Sequence, residues 1–145
     1  MSETLQNQIQ YNDVLRKGGF AVSMTLPGAT AATAANYCVF FTAPRAVDVF
    51  WASETHRVGT ATGTLQLEIL DPGEALDAGD TVLTTAWDLN STVNTPVNKQ
   101  GTDFTVNRTI KPGQRLALKD GGSVASCADV SVTVYFRFTN KGDFF

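Results

Sequence analysis

From Ala128 to Asn140 the chain alternates without a break. Val130, Val132, Val134, Phe136 and Phe138 share one parity, and Ser131, Thr133, Tyr135, Arg137 and Thr139 share the other. Successive side chains of a strand point to opposite faces, so this segment reads as a long β-strand with one buried and one wetter face. At about 3.3 Å per residue it spans roughly 40 Å, long for a globular strand.

The same period recurs upstream. Phe20, Val22, Met24 and Leu26 alternate with Ala21, Ser23 and Thr25 before Pro27-Gly28 ends the run. The small residues Ala29–Ala35 carry no strand or cap signal and read as a loop. Tyr37–Thr42 is apolar on both faces, which predicts a central, buried strand. Ala46–Ser53 follows, with Val47, Val49 and Trp51 on one parity. Gly63–Leu70 places Leu65, Leu67 and Ile69 inward and Gln66 and Glu68 outward. Thr81–Leu89 carries Leu83, Trp87 and Leu89; a polar loop, Asn90–Gly101, separates it from strands at Phe104–Ile110 and Arg115–Lys119. Asp71-Pro72-Gly73, Lys111-Pro112-Gly113 and Asp120-Gly121-Gly122-Ser123 are turns by residue chemistry, because Pro fixes φ and Gly permits φ above zero. About eight strands with turns between them and no convincing helix define an all-β chain, a jelly-roll-like β-sandwich. Expected core positions are Val22, Val39, Phe41, Val49, Leu67, Leu116, Val132, Val134 and Phe136.

The sandwich is expected to occupy residues 18–145, beginning at the Gly18-Gly19 joint. Residues 1–17 are polar and Gln/Asn-rich, with Leu5, Ile9, Tyr11, Val14 and Leu15 as scattered apolar residues. Leu5 and Ile9 are four apart, but the helical spacing is not sustained. Such a segment either frays or forms an extended arm that orders against a partner, with those five side chains as anchors. Phe144-Phe145 at the other end would dock on a neighbour or back onto the sandwich.

Residues able to do chemistry are sparse. His56 is the single histidine and reads as a solvated or turn residue, without a nucleophile elbow in the chain. Zinc needs three or four N/S ligands at short spacing, which two distant cysteines and one histidine do not offer. Four carboxylates fall within Asp71–Asp80, but not at the alternate spacing of a calcium loop, so a solvated loop is expected. The reading is therefore no catalytic residues, no metal and no cofactor. A net charge of −3 with no Lys/Arg cluster argues against nucleic acid, and no apolar run reaches the ~20 residues of a membrane span. No apolar leader opens the chain, so it reads as made in the cytoplasm, with Cys38 and Cys127 as reduced core fillers. Asn90-Ser91-Thr92 and Asn107-Arg108-Thr109 are chance triplets in a Thr- and Asn-rich chain. A sugar-binding face would use surface aromatics, for which Tyr37, Trp51 and Trp87 are candidates. The parity of Trp51 with Val47 and Val49, and of Trp87 with Leu83 and Leu89, sends both tryptophans to the core.

Several phrases carry a resemblance. Val47-Asp48-Val49-Phe50-Trp51 and Gly63–Leu70 are followed by Trp87-Asp88-Leu89-Asn90-Ser91-Thr92-Val93-Asn94-Thr95. Then come Lys111-Pro112-Gly113-Gln114-Arg115-Leu116-Ala117-Leu118, a Gly-Gly turn and a long Val/Thr strand. Over roughly Ala46–Phe138 this resembles the small jelly-roll proteins of tailed-bacteriophage structural cassettes, including head decoration (cement) proteins. The resemblance implies a homotrimeric jelly roll on the exterior of the virion capsid, made in the host cytoplasm, that clamps neighbouring major capsid protein subunits without catalysis. Phe40, Phe50 and Tyr135, apolar residues on the nominally polar parity, would be covered by a subunit interface. The alternative is a trimeric tail-associated module that binds a receptor or carbohydrate, with Asn90–Gly101 as its binding loop.

Overall fold

A computed structural model describes residues 18–26, 38–124 and 126–139. Among the described residues ten strands run in chain order: β1 (Gly19–Leu26), β2 (Val39–Thr42), β3 (Val47–Thr55), β4 (Thr64–Leu70), β5 (Asp80–Thr81), β6 (Trp87–Asp88), β7 (Val97–Gln100), β8 (Thr109–Ile110), β9 (Arg115–Gly121) and β10 (Val130–Phe138). A 3₁₀ turn, Gly101–Asp103, follows β7. Two five-stranded antiparallel sheets result. One is ordered β1-β10-β3-β7, with β8 also on β3; the other is β2-β9-β4-β5, with β6 also on β4.

Ten strands therefore occupy eight lanes, because β5 and β6 share one edge of β4 while β7 and β8 share one edge of β3. Consecutive lanes are exchanged between the sheets in a jelly-roll order, 1-8-3-6 over 2-7-4-5. The longest ladders carry the fold: β10 lies between β1 and β3, and β9 lies between β2 and β4 over Thr64↔Gly121 to Leu70↔Arg115.

The core fills the space between the inner faces. Val49, Leu67, Leu116, Val134 and Phe136 have no exposed surface, and Val132 has almost none. Trp87 is also buried, as its parity with Leu83 and Leu89 requires, and its indole N–H donates to the Val97 carbonyl at 2.9 Å. Phe136 stacks on Phe41 with ring centroids 4.5 Å apart, and Phe20 tilts against both. The two Pro-Gly turns form as their chemistry demands. Gly73 and Gly113 have φ of 89° and 87°, and each turn closes with a backbone bond, Glu74 to Asp71 and Gln114 to Lys111.

Several expectations are corrected. The final strand is Val130–Phe138, shorter than its alternation. Tyr37–Thr42 is not a central strand: β2 is a four-residue edge, and its exposure follows from having a partner on one side only. A register shift between Val39 and Phe41 makes Phe40 an extra residue, so Val39 falls opposite Ala117 rather than in the core. Phe40, expected outside, packs against the core, while Val22 and Phe41 are half-buried because the β1/β2 side of the sandwich is open. The single strand expected at Thr81–Leu89 is broken into β5 and β6. The polar loop Asn90–Gly101 contains β7, and Phe104–Ile110 pairs at β8 and at one bridge, Leu83↔Phe104.

Candidate functional site

The outer face of the β1-β10-β3-β7 sheet carries an aromatic cluster that a β-bulge creates. Tyr135 lies opposite Trp51 and Phe136 opposite Val49, so Phe50 is an extra residue in β3. Val49 and Ala52 on either side stay fully buried, and Phe50 and Trp51 both turn outward, half-buried. Phe50 meets Tyr135 edge-to-face with centroids 4.7 Å apart, and the Arg137 guanidinium lies 4.1 Å above the Phe50 ring. An edge-to-face pair of this kind adds about 0.5–1.5 kcal/mol beyond area burial, and an exposed cation–π contact about 0.5–1. Glycine at position 19 makes room: a Cβ there would lie 1.9 Å from the Phe136 carbonyl oxygen and 2.7 Å from the Tyr135 ring. Trp51 also faces Gln100 across the ladder, with Asn98 two residues along β7. The result is a held patch of three aromatic rings and one guanidinium, bordered by amides and by the Ser23–Thr133 hydroxyl pair at 2.8 Å. Its chemistry is adhesive: it can stack on flat or apolar groups and donate hydrogen bonds.

Trp51 is therefore not a core residue. Parity counting failed because one inserted residue reverses the facing of everything beyond it. Val49-Phe50-Trp51, three bulky apolar residues in succession, is the signal that a strict alternation cannot hold there.

His56 is not solvated. It is 1% exposed, with Nδ1 2.8 Å from Glu54 Oε1 and Nε2 3.2 Å from the Ser91 carbonyl oxygen. A carbonyl only accepts, so Nε2 carries a hydrogen, and a proton is shared between Nδ1 and the carboxyl group. Burial pushes the Glu54 carboxyl up, partly offset by its bond to His56 and by the imidazole charge. Cys127 is 3% exposed, and burial together with the Glu54 charge pushes its thiol up, away from the thiolate a nucleophile needs. Both ring nitrogens are engaged, so the group works as a tether: Asn94 N–H donates to the His56 carbonyl at 2.7 Å, which ties the Asn90–Gly101 segment to the end of β3.

The acidic stretch Asp71–Asp80 is largely exposed, as expected of a solvated loop, but it is tied down along its length. It straps the outer face of the other sheet. Glu68, fully buried, accepts the backbone N–H groups of Asp77 and Gly79 at 2.7 and 3.2 Å. Arg115 donates to the carbonyls of Asp71 and Glu74, Gln114 donates to the Asp71 carboxylate, and Asp77 pairs with Lys119. The carboxylates of Asp71, Glu74 and Asp77 are each turned to a different partner: Gln114, the Asp71 N–H and Lys119. Among the described residues no three His, Cys, Asp or Glu side chains gather to hold a metal, and Cys38 and Cys127 are free thiols.

Of the residues expected to grip a partner, Leu5, Ile9, Tyr11, Val14, Leu15, Phe144 and Phe145 lie outside the described residues, as does Tyr37. Phe50 and Tyr135 are brought together on the outer face.

Lane order and register define the class as a jelly-roll β-sandwich. No family model matches the chain, and no curated protein matches it. Among solved structures it is similar to a chain of the cyanophage Pam1 capsid asymmetric unit, at 16% identity over 85% of this chain and 86% of that one, with a TM-score of 0.49. It is also similar to a chain of the infectious bursal disease virus Gx strain, at 10% identity and a TM-score of 0.40, over 86% of this chain but 33% of that one. Likenesses at these TM-scores carry no weight on function.

Proposed function

We propose that this chain is a non-enzymatic structural protein of a virion, a decoration protein that binds the outside of a phage capsid, contacts the major capsid protein and assembles as a homotrimer. One observation carries the reading. The Phe138 N–H donates to the Gly18 carbonyl at 3.3 Å, so the described chain enters β1 and leaves β10 side by side. That junction adjoins the patch of Phe50, Trp51, Tyr135 and Arg137. On this reading the two segments with partner-seeking character, residues 1–17 and the Phe144-Phe145 end, act together with that adhesive surface. A clamp over a subunit junction needs such a concentration of contact groups on a rigid body. The resemblance of Ala46–Phe138 to head decoration proteins points the same way.

Purified particles test this. The protein should be spread over the head shell, and deletion of residues 1–17 should release it and lower the particle's resistance to heat. Tyr135→Ala or Arg137→Ala should weaken capsid binding by about tenfold or more, as loss of a central Tyr or Arg anchor does. Absence from the head overturns the reading.

A second reading, a tail-associated receptor- or glycan-binding module, is favoured by Trp51, which stands on the outer face opposite Gln100. A few copies at the tail tip, with glycan binding lost in Trp51→Ala, would establish it instead.

A further inference from the structure

Two titratable side chains in contact, Glu54 and His56, are 0% and 1% exposed. What packs on them is uncharged. Val132 of β10 and Val97 of β7 lie opposite Glu54 in register, and Gly59 lies so close that a Cβ there would sit 3.0 Å from His56 Nε2. Cys127, ahead of β10, feels the Glu54 charge as a thiol pushed up, not as a thiolate. Across the sandwich Asp120 of β9 also faces inward, but neither it nor Glu54 is shifted by the other. The adjoining Arg57–Asp129 ion pair lies at the surface. Glu54 Oε2 is buried with no hydrogen-bond partner among the described residues.

The loop of residues 90–96 hangs on this pair. Its other hydrogen bonds are local: the Asn90 and Ser91 N–H groups donate to Asp88, and the Thr95 hydroxyl donates to the Val93 carbonyl. Among the described residues two bonds tie the loop to more distant chain, and both end on His56. Nε2 donates to the Ser91 carbonyl oxygen at 3.2 Å, and the Asn94 N–H donates to the His56 carbonyl at 2.7 Å. Residues 92–96 are exposed.

These contacts fix a proton count. A carbonyl oxygen only accepts, so Nε2 must carry a hydrogen, and Nδ1 and Oε1, 2.8 Å apart, need one hydrogen between them. With the loop closed the pair therefore holds two protons, as acid facing imidazole or as carboxylate facing imidazolium. In water at alkaline pH a Glu and a His hold one between them. With one proton the buried pair fails at one end or the other. Either two lone pairs face each other across Nδ1 and Oε1, or the ring hydrogen moves to Nδ1 and a bare Nε2 meets the Ser91 carbonyl. A buried anion also remains, with no donor for Oε2. We infer that Glu54 and His56 form a proton-operated clasp on residues 90–96, closed while the pair keeps two protons and released as pH rises. The sign follows from linkage: closing the loop at alkaline pH takes up a proton, so closure weakens as protons become scarce. Burial pushes the Glu54 carboxyl up, which acts in the same direction. The two groups titrate as one unit. The clasp sets the order of this loop wherever in a virion the chain sits.

Hydrogen exchange on the full-length chain tests it, read as protection factors so that the intrinsic pH dependence of exchange cancels. The range runs from about pH 6 to about pH 8, either side of the ordinary imidazole value of ~6.5. Protection at the Asn94 amide should fall by about tenfold or more, since one proton is worth up to about tenfold per pH unit. Val134 in β10 should keep its protection; an equal fall there means global unfolding and overturns the inference. Glu54→Gln removes the titration and keeps the clasp, because an amide N–H donates to Nδ1 while Nε2 keeps its hydrogen. Asn94 protection in that protein should not fall over the same range. A parent whose Asn94 protection is flat with pH, or a folded Glu54→Gln protein that loses protection as the parent does, overturns the inference. A second measurement needs no variant. His56 is the single histidine, so its ring resonances identify themselves. Their titration midpoint should coincide with the midpoint of the loss at Asn94, and separate midpoints overturn the clasp.

Discussion

Asp120 is a carboxylate on a core-facing register, opposite Leu65 at the end of β9. Burial pushes its carboxyl from 3.8 up to about 6. The folded protein then holds this proton more tightly than the unfolded chain does. The contribution is therefore stabilising in full below the unfolded value of 3.8 and is lost as pH rises through about 6. Asp120→Asn should raise stability above pH 6 by on the order of 1 kcal/mol, after allowance for partial exposure, and flatten the profile between about pH 4 and 6. Urea midpoints against pH check this, and parallel profiles would refute it. The Glu54–His56 pair behaves differently, because its two members fail together. His56→Ala leaves a buried carboxyl without its partner and should cost about 3–5 kcal/mol. Replacing both residues with leucine should cost less than the two single losses summed, since no stranded charge remains. A double-mutant cycle by urea denaturation measures the coupling, and additive values would reject it.

At the level of the strand, the bulge in β3 makes an unusual prediction. Without Phe50 the ladder would run Val49, Trp51, Ala52 opposite Phe136, Tyr135, Val134, in regular alternation. Deletion of Phe50 should therefore preserve the fold and cost no more than about 1–2 kcal/mol, mainly the Tyr135 and Arg137 contacts. A protein unfolded by this deletion would show that β3 needs the bend. In β10, by contrast, Phe136→Ala removes a ring with no exposed surface that touches Phe20 and Phe41, and about 3–5 kcal/mol should go with it. Long alternating strands such as β10 and β4 were legible because the side-chain period is a local property. Trp51 and Val39 were misplaced because a bulge conserves composition while changing facing. The short strands β5, β6 and β8 were read as parts of longer strands, and β7 as loop, because two to four residues hold no period; their pairing is set by the edge of β3 or β4 rather than by their own residues. His56 escaped for another reason: its partner Glu54 is only two residues away, but burial of the pair depends on Ser91 and Asn94, which approach from a distant loop.

At the scale of the whole molecule, the two cysteines are free thiols, so no disulfide between them braces the fold. Thermal unfolding should be unchanged by a reducing agent; a lower midpoint under reduction would reveal a disulfide. The position of β10 has a separate consequence for how the molecule comes into being. It follows every other described strand in the sequence, yet it is an interior strand whose neighbours are β1 and β3. Until residues 130–138 have been synthesised, β1 has no partner and β3 has only the short β7 and β8. A growing chain must carry those apolar faces unprotected until residue 138 has been made, and the sheet can close only when β10 slides between β1 and β3. Closure of the sheet thereby waits for β10 and depends on long-range pairings such as Gly19↔Arg137, which favours slow folding and reliance on chaperones. A ribosome-arrested chain ending at residue 129 should be cut readily by protease, and the same chain released after residue 139 should resist it.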